Sequence, residues 1–444
     1  MNASWLKYLP GFLLEKLKGR YRLQTILGNS GWLFADKALR MGGGLLVMIW
    51  IARYLGPASF GQLSYAIAFV ALFGAIATLG LDGIVVRELV RDPEKADEIL
   101  GSAFFLRLIG SCLAVLTMVI AVRLVRADDA EAQTLVAIVA IGTFFLAVDV
   151  VDLWFQSRVQ SRYTVMARNA AFLAMLLVRV MLILTQAGVA AFAWAASAEL
   201  ALAALALALS YRLRGKAWSA LQPRLARMRA LLAESWPLLV SGMAVLVYMR
   251  IDQVMLAAMQ GEREVGLYAA AVRLSEMWYV IPTVIVSSVM PALTEARARS
   301  EELYYQRLQT LLNMLVRVAY LVAIPVSLFA APLMRLLYGE PYAAAGMVLA
   351  VHVWSSVFVF LAVAYSPWIF NERRAHYWML QTVLGACLNV LLNLWLIPRH
   401  GAVGCAIATL LAQALATWLA NGLFAPTRRI FIMQTKSLLG GVVP

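Results

Sequence analysis

Lys37, Arg40, Arg250, Arg273 and Arg317 stand inside stretches that are otherwise apolar, and Asp36, Asp252 and Glu276 stand near them. An ionised side chain at the centre of a membrane-crossing helix costs about 2.5–3.5 kcal/mol or more, so such residues face a bundle interior or a wet cavity. Guanidinium groups grip phosphate oxygens through a planar fork, and a lysine ammonium adds a point charge. Cations lining a cavity therefore suit an anionic ligand that carries phosphate or pyrophosphate. The three carboxylates suit either pairing with those cations or ion coupling. Asp36 and Arg40 are four residues apart and Arg273 and Glu276 three apart, spacings that put each pair on one helix face. Arg250 and Asp252 do not face each other, so each seeks a partner elsewhere.

Other charged and sulfur-bearing residues read more plainly. Arg107 and Arg168 lie within a turn or two of a span end and are expected to reach back to the interface. Asp149 and Asp152 are expected to pair with Arg158 or Arg162. Cys112, Cys387 and Cys405 share no metal-type spacing and read as small core residues. His352, His376 and His400 are far apart in sequence, so neither a metal site nor a cofactor is expected.

The elements that must position these groups follow from composition. The chain has 444 residues, 63% hydrophobic and 14% charged, against about 25% charged in soluble domains. This is the composition of an all-α integral membrane protein. Apolar segments fall near 32–52, 60–80, 103–122, 134–155, 165–185, 189–210, 236–258, 266–291, 310–334, 343–369, 377–397 and 402–424. Each is long enough to cross a bilayer, which takes about 20 residues. With the N-terminus inside, the inner segments carry roughly four times the Lys and Arg of the outer loops, so both termini are expected in the cytoplasm. The net charge of +14 is thereby an orientation signal, and no nucleic-acid partner is expected.

Two halves repeat. Gly56 and Gly61 precede a tyrosine in the first half, as Gly261 and Gly266 do in the second, and each pair follows a tryptophan, Trp32 or Trp236, at nearly the same spacing. The segments 186–198 and 399–411 also match. The expected organisation is a basic amphipathic segment at 1–30, a six-helix lobe at 31–211, a basic linker at 212–235, a second six-helix lobe at 236–425 and a cytoplasmic tail at 426–444. Parallel six-span repeats are a transporter architecture.

The stretch WLFADKALRMGGGLLVMIWIARYLGPASFGQLSYAIAFVALFGAIATLGLDGIVVREL resembles the opening of Wzx-type polysaccharide and O-antigen repeat-unit flippases of the multidrug/oligosaccharidyl-lipid/polysaccharide (MOP) exporter superfamily. GLYAAAVRLSEMWYVIPTVIVSSVMPAL is similar to that family's eighth span, and GAVGCAIATLLAQ to its twelfth. The resemblance implies translocation of an undecaprenyl-pyrophosphate-linked oligosaccharide across a bacterial cytoplasmic membrane by alternating access through a cationic cavity. It also implies membrane lipids as surroundings, and polysaccharide polymerase and chain-length machinery as partners. Lys37, Arg40, Arg250 and Arg273 fall on the spans that line the cavity in the family. Two rivals stay open: a cation-coupled multidrug exporter of the same superfamily, and a membrane enzyme acting on lipid-linked glycans. Against the enzyme, the longest outer loop, around RLVRADDAEAQ, is too short to hold a catalytic domain.

Overall fold

The computed structural model describes the backbone over residues 21–372 and 374–440, and side chains from residue 42 onward within those ranges, residue 375 excepted. Helices α1 (Tyr21–Leu72), α2 (Asp82–Arg91), α3 (Ala96–Val125), α4 (Ala130–Ile141), α5 (Val150–Ser157), α6 (Arg162–Leu184) and α7 (Val189–Leu213) are followed by α8 (Leu225–Gln260). The chain continues through α9 (Glu262–Glu276), α10 (Val280–Arg299), α11 (Glu301–Leu328), α12 (Ala330–Tyr338), α13 (Ala345–His352), α14 (Ser355–Asn371), α15 (Ala375–Ala414) and α16 (Arg428–Leu438). Among the described residues there is no strand. Lipid offers no partner for backbone N–H and C=O groups, so a chain this apolar must satisfy them within helices.

Ten helical segments among the described residues are long and apolar enough to cross a membrane. Two of these, Gly42–Leu72 and His376–Leu423, each hold a glycine in non-helical conformation, Gly56 and Gly401, which divides the segment into two arms. Large apolar side chains such as Leu124, Leu213 and Leu321 are about three-quarters exposed, as a lipid-facing surface requires.

The described residues form two compact units, one within 1–48 and 73–242, the other within 49–72 and 243–444. The core of the first joins α2 and α3 to α5 and α7 through residues such as Val85, Leu100, Phe155 and Leu207. There the Tyr211 ring meets those of Trp154 and Trp218 at 5.3 and 5.7 Å. Arg107 belongs to this core, 1% exposed, ion-paired with Asp82 and donating to the Leu146 carbonyl. α3 begins at Ala96 and holds Arg107 three turns inside the helix, from where its guanidinium reaches the well-exposed Asp82.

The second unit is built around α10, α11 and α14, with Ile430 and Met433 of α16 completing the core. The Ser300 hydroxyl accepts from Leu303 N at the start of α11, and Glu301 and Glu302 favour the same helix end. The repeated glycines adopt the same backbone: Gly56 has φ 71° and ψ 170°, Gly261 has φ 86° and ψ 177°. Only glycine takes up that region readily, which accounts for the residue at this point in both halves.

Candidate functional site

In the second unit, α8 carries Arg250 and Asp252. Asp252 is 2% exposed. Its Oδ2 accepts from the Tyr268 hydroxyl at 2.7 Å and the Thr409 hydroxyl at 2.6 Å, and its Oδ1 accepts from Asn393 Nδ2 at 2.6 Å. Asn393 Nδ2 also donates to Asn389 Oδ1 at 3.1 Å. Four helical segments thus converge on one carboxylate: α8, α9 and the two arms of α15. Among the described residues no Arg or Lys pairs with it, and every donor is neutral.

One buried atom here, Asn393 Oδ1, has no partner, and the Asn389 amide makes only a long contact toward Asp252. Orphaned polar atoms are rare in native interiors and point to an ion, a water or a mobile proton. Carboxylate, amide and hydroxyl oxygens together form a donor set for a hard monovalent cation, and the carboxylate alone can hold a proton. The residues present fit either.

Glu276, in the last turn of α9, is half-buried and lies within electrostatic reach of Arg250, Arg273 and Asp252. The structure therefore brings together four of the charges singled out in the sequence: Arg250, Asp252, Arg273 and Glu276. It does not bring Arg317 to them. Arg317 lies on an exposed face of α11 shared with Met314, Leu321, Ile324 and Leu328, at 39%, 74%, 47% and 74% exposure. Asp36, Lys37 and Arg40 lie on α1, but their side chains fall outside the described residues, as does most of the basic 1–30 segment.

A second charge centre occupies the first unit. Arg168 bridges Asp149 at 3.0 Å and Asp152 at 3.2 Å, and Arg179 pairs with Glu199 at 2.7 Å. Asp149, Arg168 and Glu199 line a cavity of about 240 Å³. Arg168, expected at the interface, is the partner that Arg158 and Arg162 were expected to be. Those two instead sit over the rings of Trp154, at 5.0 Å, and Tyr163, at 4.6 Å. Two acids against one arginine in its lining leave this cavity without surplus positive charge.

His352 is buried and bonded to Ser275 at 2.9 Å. Cys405 is buried as expected, whereas Cys112 and Cys387 are exposed. In a membrane protein an apolar sequence neighbourhood serves a lipid face as well as a core. Sequence reasoning missed Tyr268, Asn389, Asn393 and Thr409. The signal that could have found the asparagines is their four-residue spacing within an otherwise apolar span.

Residues 26–297, more than half of the chain, match the polysaccharide biosynthesis protein family. The chain belongs to that family. Two relatives of this family member come from the archaeon Haloferax volcanii. One, a probable flippase AglR, is 29% identical over 180 residues, 39% of this chain and 37% of the relative. The other, a probable low-salt glycan biosynthesis flippase Agl15, is 23% identical over 395 residues, 85% of this chain and 79% of the relative. The fold is shared with an inward-facing MATE-family multidrug resistance transporter of the MOP superfamily, with a TM-score of 0.71 at 17% identity over 90% of this chain and 96% of that one. It is shared equally with the lipid II flippase MurJ in an inward closed conformation, at 0.71 and 15% identity over 93% and 91%.

Proposed function

We propose that this family member is a flippase that carries a lipid-linked oligosaccharide across its membrane by alternating access, binding the anionic headgroup through Arg250 and Arg273. The observation that carries this reading is Glu276 with Arg250, Arg273 and Asp252 each within its electrostatic reach, inside membrane-crossing helices. With both carboxylates ionised, the set is neutral. Loading Asp252 with a proton or a monovalent cation makes the neighbourhood of Arg250 and Arg273 one charge more positive. A pyrophosphate headgroup is then favoured, and unloading Asp252 expels it. That linkage is reciprocal: the anion raises the affinity for the cation by the same factor.

An undecaprenyl-pyrophosphate carrier is the substrate we propose, with polymerase and chain-length machinery acting on the product. Asp252, Asn389, Asn393 and Thr409 would hold the cation, whose bound charge is all that it supplies. Lys37 and Arg40 stay in the proposal as further cations on the strength of residue type, and the basic inner loops favour cytoplasmic termini. Arg250 and Arg273, rather than acids alone, favour an anionic cargo over a cationic drug. In this reading the protein is a carrier and not a catalyst.

Binding tests the proposal. Purified protein should bind undecaprenyl pyrophosphate and not the neutral prenol. Arg250→Gln and Arg273→Gln should each weaken binding about 10- to 100-fold, the worth of one charged hydrogen bond at about 1.5–3 kcal/mol. Equal binding by parent and both variants would refute the assignment.

A further inference from the structure

Residues 49–72 come from the first sequence half, yet they pack as part of the second compact unit. The contact that binds them there is reciprocal. A Cβ on Gly61 would stand 1.8 Å from the Glu262 carbonyl oxygen, and a Cβ on Gly266 would stand 1.9 Å from the Pro57 carbonyl oxygen. The two repeated glycines thus let the chain just after Gly56 and the start of α9 interlock backbone against backbone. Cβ contacts under 3.0 Å essentially do not occur, so a methyl group at either glycine would force the two segments apart by about 1 Å.

Two further attachments hold the same segment. The Tyr342 hydroxyl donates to the Ala52 carbonyl at 2.9 Å, with the Tyr342 and Phe60 rings edge to face at 6.4 Å. Arg53 Nη1 reaches the Leu336 and Leu337 carbonyls in the last turn of α12 at 3.4 and 3.5 Å. Burial pushes the Tyr342 phenol well above its ordinary range, so it stays a donor at working pH. Gly42–Gly44 precede the segment and the helix breaks at Phe73 beyond it, giving both ends a place to bend. In lipid, parting two apolar faces carries little hydrophobic penalty, because tails re-cover them. Close packing and these backbone bonds therefore control whether the segment stays seated.

We propose that residues 49–72 form a releasable clasp, in which Gly61 and Gly266 interlock in the closed state and part when the second unit opens on that side. The inference rests on the alternating-access reading, and its test does not require transport. Val265, beside Gly266, is fully buried. Val265→Cys is placed in a background with Cys112, Cys387 and Cys405 replaced by Ala. It is then probed with a membrane-impermeant sulfonated maleimide in vesicles of both orientations.

In the parent, labelling should be slow. Gly61→Ala and Gly266→Ala should each speed it at least tenfold, the pair together no more than either alone, and Tyr342→Phe about threefold. Labelling within twofold of the parent in Gly61→Ala and Tyr342→Phe, both eluting as single species, overturns the clasp. If the glycine variants do not accumulate, Tyr342→Phe and Arg53→Gln decide it by the same criterion. Faster labelling together with absent glycan transport by the parent would uphold the clasp and sink the flippase reading.

Discussion

Replacing Asp252 by Asn removes one charge while nearly preserving shape. An asparagine oxygen in the Oδ2 position would still accept from Tyr268 and Thr409, and its new amide would meet Asn393 Nδ2. Asn393 and Asn389 resolve that clash by both turning their amides over, which offers the Asn393 oxygen to the new amide and puts the Asn389 amide against Asn393. Stability should therefore fall by no more than about 2 kcal/mol, roughly one hydrogen bond with its charge assistance. Asp252→Ala instead takes away the acceptor shared by three buried donors; Asn393 Nδ2 keeps Asn389 Oδ1 and the Thr409 hydroxyl keeps the Cys405 carbonyl, so its loss should exceed that of Asp252→Asn without reaching three full orphaned donors.

The functional effect has a different size. Side chains two residues apart on one helix are separated by on the order of 10 Å across its diameter. A unit charge at about that distance and an effective dielectric of about 20 contributes about 1.7 kcal/mol, or about 15- to 20-fold in affinity. Undecaprenyl pyrophosphate should thus bind the parent about 15- to 20-fold more tightly when acid or sodium saturates Asp252. In Asp252→Asn the affinity should stay at the tight value throughout the titration. The assay is ligand binding to detergent-purified protein across pH and sodium concentration, with thermal unfolding on the same samples. An Asp252→Asn variant that retains the parent's dependence would refute the linkage.

Other consequences are narrower. Arg317→Leu should leave glycan binding and transport within twofold of the parent, since Arg317 shares an exposed face with leucines; a tenfold loss would return it to the binding set. Arg107→Ala should destabilise by about 3–5 kcal/mol, less whatever the well-exposed Asp82 recovers from solvent, read as a drop in unfolding temperature. Asn421→Leu should loosen α16 and expose it to limited proteolysis. Asn421 accepts from Gln381 at 2.8 Å and donates to Gln434 at 3.0 Å and to the Thr417 carbonyl at 3.0 Å. An unchanged cleavage pattern would contradict that role.

Much of the architecture was legible because lipid imposes it. Apolar runs of spanning length had to be helices, and the repeat picked out Gly56 and Gly261 as equivalent positions, whose backbones prove to match. Arg250, Asp252, Arg273 and Glu276 stood out because charges in apolar helices are expensive. The partners of Asp252 did not. Thr409 lies 157 positions away, and neutral asparagines and threonines disturb hydropathy too little to be noticed. Nor could hydropathy separate a lipid face from a core, which is why Cys112 and Cys387 read as buried and why Arg317 read as a companion of Arg250.

The most direct measurement is flipping itself. Proteoliposomes carrying the purified chain and a fluorescent undecaprenyl-pyrophosphate oligosaccharide are scored by the fraction of headgroups that an external quencher or lectin reaches over time. Protein-dependent exchange between leaflets is predicted, accelerated by an imposed proton or sodium gradient and lost when Arg250 and Arg273 are both changed to Gln. Exchange no faster than in protein-free vesicles, or equally fast without the two arginines, would contradict the account.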